Sequence, residues 1–115
     1  MGDLINHEVS GLCRATSLSL YYDHPTRRAD RSPAVGSKLG NITAGLTSGA
    51  QTGKVSIYVG NPGSLRKLAS SPLTATAPIL SVVDAGVVLQ PGQQVHIYFE
   101  NVTATDAFVF TVEGH

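Results

Sequence analysis

Four stretches of this chain alternate apolar and polar side chains with a period of two, and this limits the fold more than any other feature. Residues 17–22 set Leu18, Leu20 and Tyr22 against Ser17, Ser19 and Tyr21. Residues 54–59 set Val55, Ile57 and Val59 against Lys54, Ser56 and Tyr58. Residues 95–100 set Val95, Ile97 and Phe99 against His96, Tyr98 and Glu100, and residues 108–112 repeat the pattern with Phe108, Phe110 and Val112. Successive side chains on a strand point to opposite faces, so each stretch offers one core face and one wetter face. Antiparallel sheets with one buried side carry this signature. The apolar rows predict that Val55, Ile57, Ile97, Phe99, Phe108 and Phe110 are buried.

The punctuation between these stretches agrees. Gln90-Pro91-Gly92-Gln93 has Pro before Gly, as a type II turn requires. It separates residues 86–89 from the 95–99 stretch in the manner of a hairpin. Gly60-Asn61-Pro62-Gly63 closes the 55–59 stretch, and residues 45–53 form a glycine-rich loop before it. Only residues 64–69, with Leu65, Leu68 and Ala69 at helical spacing, could hold a short helix. The expected fold is all-β: an antiparallel β-sandwich or small jelly-roll or barrel, with one long loop and at most one short helix. Its 115 residues suit a single domain, 1–115, with an N-terminal arm at 1–10 and a long basic loop at 23–38.

Composition narrows the function classes. Eight Lys plus Arg balance eight Asp plus Glu, which argues against a nucleic-acid partner. Charged residues make up 14%, against about 25% in an ordinary soluble domain. The N-terminus lacks the basic and apolar regions of a secretory signal, and no apolar run approaches a membrane span, so no membrane partner is expected. Lone Cys13 allows no disulfide framework. His7, His24, His96 and His115 show no metal-ligand spacing, and neither a metal nor another cofactor is expected.

Other motifs are weak. Residues 49–54 resemble part of a phosphate-binding loop. However, Ser48 stands at the first Gly and Val55 at the hydroxyl position, and a strand follows where a helix is needed. His96 and Glu100 share a strand face and could serve a small acid–base site, but the polar outer face of a hairpin explains them better. Cys13 reads as a small hydrophobe before it reads as a nucleophile. Asn41-Ile42-Thr43 and Asn101-Val102-Thr103 match the glycosylation pattern but suit turn edges. No catalytic residue is expected.

The second half, from Leu39-Gly40-Asn41-Ile42-Thr43 through residues 52–59 and 87–95 to Phe110-Thr111-Val112-Glu113-Gly114, resembles small all-β structural proteins of tailed bacteriophages. The resemblance covers about residues 39–114; Gln93 replaces the usual acidic residue after Pro-Gly. It implies a non-enzymatic virion component, above all a capsid decoration (cement) subunit, made in the host cytoplasm. Its partners would be the major capsid protein or tail or neck proteins. Such proteins form homo-oligomers, with a trimer favoured. The basic run in the long loop and the neighbouring tyrosines then give the expected interface: Tyr21, Tyr22, Arg27, Arg28 and Arg31. The alternative is a carbohydrate-binding β-sandwich of a phage adhesion structure, with Tyr21, Tyr58 and Tyr98 stacking on sugars. The chain has no Trp, the residue such sites favour.

Overall fold

A computed structural model describes residues 2–115. It contains nine strands: β1 (Ile5–Leu12), β2 (Ser17–Asp23), β3 (Ser37–Leu46), β4 (Gly53–Asn61), β5 (Ser64–Leu73), β6 (Ile79–Val82), β7 (Val88–Leu89), β8 (Gln94–Glu100) and β9 (Ala107–Gly114). No helix occurs among the described residues. One antiparallel sheet runs β1-β9-β3, with β6 and β7 sharing the far edge of β3. The other runs β2-β8-β4-β5. The two pack face to face as a sandwich.

The alternation read from the sequence places the core. Val55, Ile57 and Val59 of β4, Val95, Ile97 and Phe99 of β8, and Phe108, Phe110 and Val112 of β9 are all buried, joined by Leu39, Ile42, Ala44 and Leu46 of β3. The Phe99 and Phe108 rings meet across the core with centroids 6.3 Å apart. Each aromatic side chain removes a large apolar area from water, and such burial is the main favourable term in folding.

Three local expectations differ from the structure. Residues 64–69 are strand, not helix. The two-residue turn at Pro62-Gly63, with Gly63 at φ +82°, folds them back along β4. A bulge then lets Ile57 pair with Ala69 and Tyr58 with Lys67, leaving Leu68 as the extra residue. That extra residue shifts the alternation and imitates helical spacing. The turn at Gln90–Gln93 forms as expected, with the Gln93 N–H donating to the Gln90 carbonyl at 3.0 Å and Gly92 at φ +83°. It does not close a hairpin: β7 pairs with β3 in one sheet and β8 with β2 and β4 in the other, so the turn carries the chain between layers. Residues 5–10 belong to β1, paired along β9 from Ile5↔Gly114 to Leu12↔Ala107, where a free arm was expected; Met1 lies outside the described residues.

The long loop spans residues 24–36 between β2 and β3. It is tied down by its own backbone and by the N-terminus. Arg28 N–H donates to the Ser32 carbonyl at 2.8 Å and Ala34 N–H to that of Thr26 at 3.1 Å. The Asp3 carboxylate accepts from the Arg28 Nε at 2.9 Å and from the Val35 N–H at 3.2 Å. Buried His24 locks the base of the loop: the Tyr22 hydroxyl lies 3.1 Å from its Nδ1, and its Nε2 lies 2.9 Å from the Val35 carbonyl. This arrangement makes Nε2 the donor and leaves Nδ1 to accept from the Tyr22 hydroxyl.

Candidate functional site

A sandwich has two open sides, where the outermost strands of both layers expose unpaired backbone groups. One side here is bounded by β5 and β6, which lie against each other. The other is bounded by β1 and β2, as shown by His7 of β1 contacting Tyr22 of β2 with ring centroids 5.0 Å apart. Edge strands invite pairing with other chains unless prolines, lysines, bulges or brevity prevent it. On the first side β5 carries Arg66, Lys67, Pro72 and the bulge at Leu68, while β6 is four residues long and follows Pro78. On the second side β1 has eight residues and β2 seven, and neither contains a proline, lysine or arginine. Neither has a register shift against its single partner.

The β1/β2 side is also apolar inside. Val9, Leu18, Leu20 and Tyr22 point inward and pack against the core, yet remain only half-buried because no strand follows them. A groove of about 700 Å³ opens at one end of this side, between the end of β1 (Gly11, Leu12), the start of β2 (Leu18), Arg14 and the turn at Ala104 and Thr105, with Phe108 among its lining. Leu12 is 59% exposed there.

The outer face of the β2-β8-β4-β5 sheet carries the tyrosines. Register places Tyr21, His96, Tyr58 and Lys67 in one row across four strands. Tyr21 and His96 stack at 4.3 Å and 13°, His96 and Tyr58 at 5.6 Å and 29°, and the Lys67 ammonium lies 5.9 Å from the Tyr58 ring centre. Nearly parallel rings with centroids 4.3 Å apart must overlap face to face, because rings lying flat on the sheet would sit further apart. The rings therefore stand on edge, their faces largely used against one another. Burial within the row pushes the His96 imidazole pKa down, and its Nε2 has no hydrogen-bond partner among the described residues.

The expected interface residues do not form one patch. Tyr21 and Tyr22 are consecutive strand residues on opposite faces: Tyr21 is 47% exposed in the stacked row, whereas Tyr22 points inward to His7 and His24. Burial raises the Tyr22 phenol pKa. Arg27, Arg28 and Arg31 are exposed in the long loop. Arg28 is committed to Asp3, 2.8 Å from its carboxylate, and that hydrogen-bonded ion pair holds the Asp3 carboxyl below its ordinary range. Arg31 takes a left-handed backbone, φ +70°, inside the tight 28–32 turn. The unguarded edges of β1 and β2 were not picked out from sequence. They become visible only once β9 and β8 are known to be their sole partners.

The other sequence motifs find structural roles. The phosphate-loop-like segment ends in strand β4, and its amides are occupied: buried Asp106 accepts from Ala50 N–H at 3.2 Å and Gln51 N–H at 3.0 Å. A phosphate would need those same donors. Cys13 is 1% exposed, and burial pushes its thiol pKa up, away from the thiolate a nucleophile needs. Four residues along β8 separate His96 from Glu100, about 13 Å, too far for one to position the other. Asn41 accepts from the Asp84 N–H at 3.1 Å, and Asn101 sits in a turn at φ +54°. No three His, Cys, Asp or Glu side chains converge as metal ligands among the described residues, and no helix is long and apolar enough to cross a membrane.

No family model matches the chain. No curated protein matches it by sequence. Solved structures do share its fold. A carbohydrate-binding module from glycoside hydrolase family 9 (Cel9A) of Ruminococcus flavefaciens FD-1 aligns over 96% of this chain and 98% of its own, at a TM-score of 0.51 and 10% identity. The CBM32 of AlyQ, solved with 4,5-unsaturated mannuronic acid, aligns over 94% of this chain and 76% of its own, at 0.50 and 14%. A nora virus structure aligns over 95% of this chain and 54% of its own at 0.45 and 12%, too loose to carry an argument. At these identities the likenesses establish the β-sandwich alone.

Proposed function

We propose that this chain is a non-enzymatic structural subunit of a virion, a capsid decoration protein that stabilises a phage particle by protein–protein contact. A tail or neck position is the other place such a subunit would occupy. The observation that carries the reading is the β1/β2 side: two long unguarded edges with a half-covered apolar groove at one end. An isolated globule gains nothing from this arrangement, and an assembling subunit needs it. The resemblance to tailed-phage proteins over residues 39–114 supplies the kind of assembly. Those residues build β3 to β9, the whole sandwich except the two unguarded strands. In a shell, many modest contacts add to strong retention, so each subunit can bind weakly and still hold neighbouring capsid proteins together.

The carbohydrate reading draws support from the shared fold of the two binding modules. It is weakened at Tyr58, whose ring lies between His96 and the Lys67 ammonium, whereas Tyr21, 47% exposed at the β2 edge, stacks on His96 alone.

The test is binding of the purified chain to empty shells assembled from the major capsid protein encoded beside it. Saturable binding at a fixed ratio per capsomer, with a rise in the shell's thermal midpoint, is expected. A chain that binds neither shells nor isolated tails overturns the reading.

A further inference from the structure

We infer that the β1/β2 side pairs with the same side of a second copy, about a twofold axis through Val9 and Leu20. The inference rests on reading that side as an association surface, and it names the partner. A twofold axis perpendicular to a sheet joins identical edge strands antiparallel and keeps inward side chains facing inward. It pairs residues whose numbers sum to a constant even value. In β2, the midpoint of Ser17–Asp23 is Leu20, so Leu20 meets its own copy, Leu18 meets Tyr22, and Ser19 meets Tyr21. In β1, an axis through Glu8 would set two carboxylates against each other, which is destabilising. An axis through Val9 sets Glu8 beside Ser10, His7 beside Gly11 and Asn6 beside Leu12, so exposed Leu12 gains a neighbour.

One axis must serve both sheets, and the structure meets that condition. His7 of β1 contacts Tyr22 of β2, and Gly11 and Leu12 line the same groove as Leu18. The strands therefore run in opposite directions across the sandwich, with His7 against Tyr22 and the Gly11 end of β1 toward the Leu18 end of β2. The two midpoints chosen independently, one by strand length and one by charge, then fall in the same middle stretch of this side. Joining there extends both layers at once, satisfies both rows of unpaired backbone groups and closes the apolar groove. The β5/β6 side offers no equivalent, since lysine, proline, a bulge and a four-residue strand interrupt it.

Sedimentation velocity of the native protein over a concentration series tests this directly. A reversible species of about 24 kDa, twice the 12.0 kDa chain, is expected. Under mild oxidation, Val9→Cys and Leu20→Cys should each give a covalent dimer, because directly opposed residues bring their Cα atoms within disulfide reach. Ser70→Cys on β5 and Ser81→Cys on β6 should remain monomeric, with native Cys13 buried in every variant. A native protein that stays monomeric or forms trimers overturns the inference. So does cross-linking at Val9 and Leu20 no faster than at the two controls. Shell binding reads the broader proposal separately. A chain that dimerises but ignores shells refutes only the virion role, and one that decorates shells as a monomer refutes only the twofold pairing.

Discussion

The two open sides of this sandwich solve the same problem in opposite ways. On the β5/β6 side the chain spends a bulge, a proline, an arginine, a lysine and a truncated strand on keeping other chains away. On the β1/β2 side it uses none of these: the strands are long, regular and free of lysine, arginine and proline, with Glu8 and Asp23 their charged residues. Both sides hold half-buried apolar residues, Leu68, Leu80 and Val82 on one and Val9, Leu18, Leu20 and Tyr22 on the other. Apolarity alone does not separate them. The difference lies in whether the backbone can be reached, and so an association surface on a β-sandwich is defined by its edges more than by its greasiness.

The largest expected effect ignores the division. Phe99 sits at 0% exposure between the layers, and Phe99→Ala should cost about 3–5 kcal/mol in denaturant unfolding, with both sides lost together. A smaller cost would mean that the layers are held by their edges instead of their shared core. Asp106→Ala comes next. It leaves the Ala50 and Gln51 amides without their acceptor and should cost about 1–3 kcal/mol. The Asp106 carbonyl also accepts from the Cys13 N–H just past β1, and Thr105 lines the groove, so the variant should unfold at lower denaturant and also self-associate less readily.

The third effect sharpens the comparison through pH. Burial lowers the His96 pKa below the ordinary imidazole value, so between those values the unfolded chain binds the proton and the folded one does not. Stability from this source is complete above about pH 6.5 and is lost as pH falls from there through the folded pKa. His96→Phe should flatten the slope of stability against pH in that window. Tyr21→Ala, which uncovers His96 from the β2 edge, should reduce it part-way. An unchanged slope in both would show that His96 is not the group responsible. The smallest effect concerns the long loop. Arg31→Glu should leave the thermal midpoint where it is, while Arg28→Glu should lower it slightly by breaking the exposed contact with Asp3. A large loss at Arg31 would make the loop a structural element of the sandwich.

Much of the core was readable from the sequence because β2, β4, β8 and β9 alternate cleanly. Strand β1 was not, because its inward positions run Ile5, His7, Val9 and Gly11, and a polar ring and a bare backbone blur the apolar row. Strand β5 was hidden by the extra residue at Leu68. Layer assignment was beyond reach at Gln90–Gln93, since a turn sequence fixes the local bend and not the sheet the next strand joins. The candidate surface suffered most. Tyr21 and Tyr22 looked like one patch although the period of two already divides them. The stacking of Tyr21, His96 and Tyr58 depends on cross-strand register, which no local pattern carries. An unguarded edge is a statement about missing partners, and partners are known only from the whole topology.

Amide hydrogen exchange of the native protein at low and high concentration tests the division between the sides most directly. Protection should rise with concentration along β1 and β2 and stay constant along β5 and β6. An equal response at all four edges, or none at β1 and β2, would contradict it.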